Sequence, residues 1–326
     1  MRHLSGIQPS GVLHLGNYLG AIRDHVALQE KGDARYFIAD YHALTTVRNR
    51  AQLLDNVRQT AVTYLACGLD PARSLLYRQS DVPEVCELTW LLLTVTPMAM
   101  LHNATSYKDR VEKGIPADAG LFTYPVLMAA DILAQDATHV PVGKDQVQHV
   151  EMARDMAEKF NRTYGRDVFT VPEYSLGECP YVPGIDGAKM SKSYGNTIGL
   201  FDTPDQIRKS VAKIKTDSKA PAEPKVPEQC TIFRLYSLVS PPEQVSALAE
   251  QYRRGGLGYG DAKSLLGDRL IAVLGPLRER VAHWQTRSED VEDVLLAGAE
   301  RARATARSVL ARARDACGLE RGGAAS

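Results

Sequence analysis

Two lysines three residues apart, Lys189 and Lys192, are the side chains best suited to phosphate chemistry. The hydroxyls of Ser191 and Ser193 stand beside them, and Gly184 precedes them, so the backbone is free to bend around a ligand. Ammonium groups act on phosphate as point charges, and hydroxyls and backbone N–H groups add hydrogen bonds. The spacing predicts a loop that binds a triphosphate. A solvated basic turn is the alternative for any isolated Lys-x-x-Lys pair.

A second candidate phosphate site lies near the N-terminus, where His14, Gly16 and Asn17 are expected to open a helix after the first strand. The start of a helix offers free N–H donors and positive potential, and a glycine lets a nucleotide approach closely. The run Gln8-Pro9-Ser10 precedes this corner as a turn. A purely structural turn explains Pro9 and Gly11 equally well. It accounts less readily for His14 and Asn17, although a lone histidine is usually structural.

Asp131 is the candidate for substrate specificity. It ends the apolar run 126–130 on a predicted helix, and Tyr124 and Met128 share its face. A carboxylate on an apolar surface is costly unless it meets a donor, and one candidate donor is the N–H of an indole, which never accepts. A carboxylate that caps a backbone or pairs with an arginine is the alternative.

The elements that must position these residues follow from periodicity. Short apolar runs at 36–39, 74–77 and 139–142 are typical of buried strands, and helical spacing separates them. This alternation predicts an α/β fold, a Rossmann-like doubly wound parallel sheet with ligands at the carboxyl ends of the strands. The run Gly143-Lys144-Asp145 should follow one strand end. Neither a Gly-x-Gly-x-x-Gly fingerprint nor a P-loop is present in the sequence.

The second half of the chain has a different pattern. After a proline-rich connection at 219–227 it is helical, so we predict a catalytic domain over residues 1–200, with the two-lysine loop at its end, and an α-helical C-terminal domain over 201–326. In the last helical stretch Arg303, Arg307 and Arg314 share one face. Scattered arginines of this kind are more often a solvated surface than an RNA-binding stripe.

Composition limits the classes of function. The 326 residues carry 39 basic and 39 acidic side chains, so no net charge draws the chain to DNA or membrane, and RNA contacts must use local basic patches. No apolar run approaches the ~20 residues of a spanning helix, and no signal peptide precedes the first motif, which predicts a cytoplasmic protein. The scattered cysteines argue against a zinc or iron–sulfur site: Cys67, Cys86, Cys179, Cys230 and Cys317.

Two motifs together resemble one protein family. His14-Leu15-Gly16-Asn17 is similar to the His-Ile-Gly-His signature, and residues 189–193 read Lys-Met-Ser-Lys-Ser, as in class I aminoacyl-tRNA synthetases. Asn17 in place of the second histidine is usual in the tryptophanyl branch. The resemblance to bacterial-type tryptophanyl-tRNA synthetases covers nearly the whole chain. Three further segments share it: 127–133, 140–146 and 216–218.

The resemblance implies activation of tryptophan by ATP, giving tryptophanyl-adenylate and pyrophosphate, followed by transfer to tRNA. Lys189, Lys192 and Ser191 would then stabilise the leaving pyrophosphate together with Mg²⁺, joined by Arg110 from the segment 106–114, which looks mobile. The implied ATP contacts are Gln8, Pro9, Ser10, His14, Gly16, Asn17, Gly143, Lys144, Asp145, Val182, Lys189, Met190, Ser191, Lys192 and Ser193.

For tryptophan, the resemblance implies that Asp131 binds the indole N–H. The implied pocket also contains Leu4, Gly6, Gln8, Tyr124, Met128, Val142 and Gln146. Two positions depart from the family, since Leu4 replaces a phenylalanine of some relatives and Lys144 replaces a common glutamate. Members of the family are homodimers whose tRNA spans both subunits, with the helical domain reading the anticodon. No protein-bound metal is expected.

Three other functions remain open. A tyrosyl-tRNA synthetase shares the fold and the motifs, but the run 124–131 favours indole over phenol. A silent binding or regulatory paralogue is disfavoured by the intact motif residues and by Asp131. A small-molecule nucleotidyltransferase of the same superfamily would lack the long helical half.

Overall fold

Five parallel strands form the centre of the protein in a computed structural model that describes residues 1–9, 11, 13–176 and 181–319. The strands lie in the order β3-β2-β1-β4-β5. The chain therefore winds from β1 outwards to β3 and then returns to the other side of β1, which confirms the doubly wound parallel sheet predicted from the sequence. The bounds are β1 (Arg2–Ile7), β2 (Asp33–Ile38), β3 (Leu75–Arg78), β4 (His139–Val142) and β5 (Glu173–Leu176).

Helices occupy most of the remaining chain. A π-helical turn, Tyr18–Ile22, joins the first two α-helices into one continuous helical rod. No helix within the described ranges is long and apolar enough to cross a membrane. The α-helices are α1 (Leu15–Asn17), α2 (Arg23–Leu28), α3 (Asp40–Ala43), α4 (Arg50–Ala66), α5 (Glu84–Leu93), α6 (Met98–His102), α7 (Thr105–Glu112), α8 (Ala119–Ala134), α9 (Val147–Tyr164), α10 (Pro204–Ala212), α11 (Thr231–Val239), α12 (Pro242–Arg254), α13 (Tyr259–Gln285) and α14 (Ser288–Ala316).

Alternating side chains give the sheet two buried faces. One face carries Leu4 and Phe37 and packs against α5, α8, α9 and α14. The other carries Tyr36 and Ile38 and packs mainly against α4. Strands buried on both faces are apolar at nearly every position, which is why the three predicted strands are confirmed as β2, β3 and β4.

The helical pattern predicted after the proline-rich connection at 219–227 is confirmed by α11 to α14. Helices α10 to α13 enclose a separate core around Leu235 and Leu266. The same core contains Leu15, at the start of α1, and Met190, from the two-lysine loop. The helical region therefore supports both predicted phosphate-binding segments. The division into domains at residue 200 stays a prediction.

The last helix, α14, returns to the sheet and packs against its edge strand β3. Gly298 lies so close to the carbonyl of Leu76 that a Cβ would overlap it. Arg303 and Arg307 each donate from Nε to the buried carboxylate of Glu84 on α5, at 3.0 Å. Arg303 and Arg307 therefore form ion pairs with α5, a helix that packs against the sheet. Helical spacing alone did not predict these pairs.

Candidate active site

The two predicted phosphate-binding segments meet in the structure. Leu15 N donates to Ile198 O at 2.9 Å, which ties the start of α1 to the chain just after residues 189–193, here called the signature loop. Gly16 N lies 3.3 Å from Met190 Sδ, and a Cβ on Gly16 would lie 2.9 Å from the ring of His14. Glycine at position 16 therefore allows the signature loop to contact the segment from His14 to Asn17.

His14 forms the wall of this corner and is only 8% exposed. Burial lowers its pKa to about 4, and the nearby Lys192 ammonium acts in the same direction, so the imidazole is neutral at physiological pH. Its buried Nδ1 has no hydrogen-bond partner among the described residues. Asn17 accepts the backbone N–H of His14 through Oδ1 at 3.0 Å, which fixes the start of α1.

The signature loop is anchored by its apolar residue and exposes its charges. Met190 is buried, while Lys189, Lys192 and Ser193 are exposed and Ser191 is half-buried. Val182 accepts Met190 N through its carbonyl at 2.9 Å, so that backbone oxygen already serves the loop. The cationic side chains consequently lie on the open side of the loop, where a polyanion can reach them.

The end of β4 forms the opposite wall. Gly143 follows β4 directly, as predicted, and a short 3₁₀ turn, Lys144–Gln146, leads into α9. A Cβ at Gly143 would lie 2.7 Å from Oδ1 of the exposed Asp145, so the glycine lets this carboxylate fold back over the strand end. A cavity of about 440 Å³, within the range of small-molecule sites, separates this wall from the rod that follows His14. Its lining includes Gly20, Ala21, Val142 and Gly143.

Asp131 lies on α8 and is 3% exposed. His42 Nε2 donates to Oδ2 at 2.9 Å, and Gln79 Nε2 reaches Oδ1 at 2.9 Å and Oδ2 at 2.8 Å. Burial raises the pKa of this carboxyl, while the bonds from His42 and Gln79 oppose that shift. The alternative drawn from the sequence was that Asp131 caps a backbone or pairs with an arginine. Among the described residues, its partners are a histidine and a glutamine instead.

Gln79 is oriented unambiguously by its other contacts. Its Oε1 accepts the backbone N–H groups of Tyr41 at 3.1 Å and His42 at 3.4 Å, so its amide nitrogen must face Asp131. Gln79 follows β3 and His42 follows β2, and Asp131 receives both. Three separate segments therefore fix the position of one carboxylate.

Tyr124 shares the helical face of Asp131, as predicted, and lies edge-on to the ring of His42. Its hydroxyl bonds to Ser106 Oγ on α7 and to Nε2 of His149 on α9. Burial lowers the pKa of His149 and raises that of Tyr124, so both are neutral. The tyrosine consequently joins α7, α8 and α9.

The other residues predicted for the tryptophan pocket differ in exposure. Leu4 is 1% exposed within the core beneath β1, whereas Gly6 at the end of that strand is exposed and Phe37 fills the space that its side chain would need. Gln8 is exposed. Three are half-buried: Met128, Val142 and Gln146.

The predicted site residue Arg110 stands apart from this arrangement. Ser10 lies outside the described residues. Arg110 belongs to α7, so most of the segment 106–114, expected to be mobile, is helical, and the contact described for Arg110 is a bond from Nε to Pro116 O at 3.4 Å. Pro9 is buried beside the end of β1.

Sequence reasoning missed His42, Gln79 and Asn196, and a signal existed for the first two. Both follow predicted apolar strands, and polar residues just beyond the carboxyl ends of parallel strands face the ligand edge of the sheet. Asn196 follows Gly195 just after the signature loop, and nothing in that pattern distinguishes it from an ordinary loop residue.

Comparison with known proteins identifies the class. The family model described as tRNA synthetases class I (W and Y) matches residues 1–275. The chain therefore belongs to the class I tRNA synthetases of this family. Relatives named tryptophan–tRNA ligase include one from Rhodopirellula baltica, 50% identical over 320 residues and covering 98% of this chain and 100% of its own length. Another, from Fusobacterium nucleatum, is 46% identical and covers 98% of each chain.

Solved structures agree with this assignment. Tryptophanyl-tRNA synthetase from Campylobacter jejuni, complexed with ADP and tryptophan, is 45% identical with a TM-score of 0.91, covering 98% of this chain and 100% of its own. The enzyme from Mycoplasma pneumoniae is 31% identical with a TM-score of 0.81, covering 98% of each chain.

Proposed function

We propose that this protein is a tryptophan–tRNA ligase, which activates L-tryptophan with ATP and transfers it to its tRNA. The observation that carries the proposal is the buried carboxylate of Asp131, surrounded by donors that follow the carboxyl ends of β2 and β3, while the first signature follows β1 at the same edge of the parallel sheet. Membership of the W and Y family and the similarity to a synthetase solved with ADP and tryptophan support it.

Selection of the indole rests on the acceptor positions of Asp131. A carboxylate offers about four lone-pair positions, and the contacts from His42 and Gln79 use three of them. The remaining position on Oδ1 suits one further donor. Indole brings a single N–H and no acceptor, whereas a phenol donates its O–H but also brings lone pairs that need a donor of their own.

Activation is an in-line displacement at phosphorus. A carboxylate oxygen of tryptophan attacks the α-phosphorus of ATP; a new P–O bond forms as the bond to the bridging oxygen breaks, and pyrophosphate leaves. Lys189 and Lys192 stabilise the charge that grows on the pyrophosphate, Ser191 adds a hydrogen bond, and Arg110 joins from α7. No covalent bond to the enzyme forms.

The nucleotide is assigned to the ends of β1 and β4. Asp145 accepts the ribose hydroxyls beside Gly143, and Val182 contributes a backbone contact to adenine. The start of α1 holds phosphate through the corner of His14, Gly16 and Asn17. The turn 8–10 and the side chains of Lys144, Met190 and Ser193 complete the proposed contacts.

Magnesium is proposed to enter with ATP. No group of three His, Cys, Asp or Glu side chains in the described part of the chain could hold a metal ion. Magnesium commonly binds through substrate phosphates and water with few protein ligands. We therefore treat Mg²⁺ as part of the substrate complex.

Transfer completes the reaction when a ribose hydroxyl of the terminal adenosine of tRNA attacks the adenylate carbonyl and AMP leaves. The helical region is proposed to read the anticodon, and the protein to act as a cytoplasmic homodimer. Trp90 on α5 and Met98 at the start of α6 are 66% and 61% exposed, and a second copy would cover such apolar surface.

Charging of transcribed tRNA tests the whole proposal. We expect labelled tryptophan to reach a tryptophan tRNA only with ATP and Mg²⁺, and tRNA binding to weaken steeply with salt, because phosphate contacts release counterions. A tRNA with an altered anticodon should be charged poorly. Absence of charging would contradict the function, while equal charging of the altered tRNA would contradict only the anticodon role.

A further inference from the structure

Asn196 lies at the base of the signature loop, 2% exposed, and all its side-chain polar atoms are engaged. Its Oδ1 accepts Ser191 N at 2.8 Å. Its Nδ2 donates to Lys189 O at 3.1 Å and to Asp186 Oδ1 at 2.8 Å. One amide group therefore clamps the backbone on both sides of Met190.

The contacts demand an asparagine in one orientation. Ser191 N–H can only donate, whereas the Lys189 carbonyl and the Asp186 carboxylate can only accept, so the amide oxygen and nitrogen cannot be exchanged. An aspartate would keep the first bond and place negative charge against the other two groups. Its size is the same, so this substitution separates hydrogen bonding from packing.

The same residue joins the loop to the chain around it. Its backbone carbonyl accepts Ile185 N at 3.0 Å, and Ile185 O accepts Lys215 N at 3.0 Å. A Cβ at Gly184 would overlap the Asn196 amide, so the two segments are in close contact. The loop is thus fastened to the segment leading into the helical region.

We propose that Asn196 is a positioning residue that holds the backbone of 189–191 so that Lys189 and Lys192 are pre-arranged for the departing pyrophosphate. This inference rests on the proposed function. Ordering two long cationic side chains on a loose loop would cost conformational entropy during the reaction. Asn196 removes the backbone part of that cost in advance.

Single-turnover formation of adenylate tests the proposal. In Asn196→Asp we expect the rate at saturating ATP and tryptophan to fall about tenfold or more, because a small displacement of charged groups from the transition state is costly. Tryptophan affinity should stay within about twofold, since none of the proposed tryptophan contacts belongs to the signature loop.

A second asparagine provides the matched control. Asn161 on α9 also spans a backbone, accepting Phe169 N through Oδ1 and donating to Phe169 O through Nδ2, both at 3.0 Å. Asn161→Asp should lower thermal stability and leave the rate unchanged. Combining Asn196→Asp with Asp186→Asn supplies a new amide donor to the introduced carboxylate and should recover part of the lost rate.

Measurements that need no substrate test the role of Asn196 independently of the proposed function. In Asn196→Ala we expect faster amide exchange at Ser191 and faster tryptic cleavage after Lys189 than in the wild-type protein, whereas Asn161→Ala should change neither. If the wild-type protein makes no adenylate, the proposed function fails, and these measurements still decide whether Asn196 holds the loop.

Two results would overturn the inference: a folded Asn196→Asp variant with a rate within about twofold of wild type, or tryptophan affinity that falls as far as the rate. Should the Asn196 variants not fold, Asp186→Ala decides the matter, because Asp186 is exposed and its loss frees one end of the same amide. A several-fold slower adenylate step supports the clamp, and an unchanged step refutes it.

Discussion

At the scale of single residues, the proposed function makes substrate choice depend on the charge of Asp131. Gln79 and His42 only donate to it, which favours the charged carboxylate although burial raises its pKa. A protonated acid would present a hydroxyl of its own and would no longer need a donor from the substrate. The preference for an N–H group therefore depends on the neighbours of Asp131 as well as on the acid.

Replacing Gln79 with methionine, similar in length but without a donor, should weaken that preference. Loss of the two contacts to Asp131 raises its pKa further, because the charged form loses hydrogen bonds in a buried site. We expect the ratio of kcat/KM for tryptophan to that for 3-(benzothiophen-3-yl)alanine, an isostere without the N–H, to fall about tenfold in pyrophosphate exchange. The decrease should be larger at mildly acidic pH.

A glutamine at the surface controls for this substitution. Gln59 on α4 donates to Asp55 Oδ1 at 3.5 Å, away from the pocket. Gln59→Met should leave the ratio unchanged. An unchanged ratio in Gln79→Met as well would show that Gln79 does not act on specificity.

His25 predicts how stability depends on pH. It is buried between Ser5 Oγ, 3.2 Å from Nε2, and Tyr64 OH, 2.9 Å from Nδ1, and burial lowers its pKa from 6.5 to about 4. Between these values the unfolded chain binds a proton that the folded protein excludes, so stability falls as pH falls. This group alone should lower the free energy of unfolding by about 2 kcal/mol between neutral pH and pH ~5.

Urea unfolding at several pH values measures this effect. His25→Gln should flatten the slope of stability against pH in that window, whatever its effect on stability at neutral pH. His283→Gln, at an exposed position on α13, should leave the slope as in the wild-type protein. Equal slopes in all three proteins would rule out the role of His25.

Candidate site residues stand out in the sequence where local pattern and chemistry coincide. An acid on an apolar helix face indicated Asp131, and lysine spacing indicated Lys189 and Lys192. His42 and Gln79 could not be assigned to Asp131, because each follows a different strand and only the tertiary fold brings those strand ends together. Asn196 has no local pattern that distinguishes a buried clamp from an ordinary loop residue.

At the scale of elements, the attachment of α14 can be tested through Glu84. Burial alone would raise the pKa of this carboxyl, but the bonds from Arg303 and Arg307 outweigh it and lower the pKa. Glu84→Gln should therefore reduce the free energy of unfolding by about 1–2 kcal/mol at neutral pH, measured by urea denaturation.

An exposed ion pair that joins α14 to Arg166 serves as the control for Glu84→Gln. Asp315 pairs with Arg166, and both side chains are more than half exposed. Asp315→Asn should change stability by less than about 0.5 kcal/mol, since water screens such pairs. Equal effects of the two substitutions would mean that Glu84 does not anchor α14.

Elements were predictable in proportion to their burial. Strands β2 and β3 are almost entirely buried, β4 is half-buried, and all three show apolar runs. Strand β5 has mostly exposed residues in Glu173–Leu176 and was missed. Glycine and charge near Arg110 suggested mobility, yet contacts such as that between Ser106 and Tyr124 join α7 to its neighbours.

At the scale of the whole molecule, the signature loop belongs to two structural units at once. Met190 lies in the core of the helical region, while Gly16 meets it from the sheet side. Motion of the helical region relative to the sheet would therefore displace the loop lysines.

Amino-acid-dependent exchange of labelled pyrophosphate into ATP, run with all twenty amino acids, tests the central claim most directly. Because Asp131 retains one acceptor position for an N–H donor, we expect exchange with tryptophan and very little with tyrosine or phenylalanine. Exchange with tyrosine as fast as with tryptophan would contradict the account, and so would the absence of exchange with any amino acid.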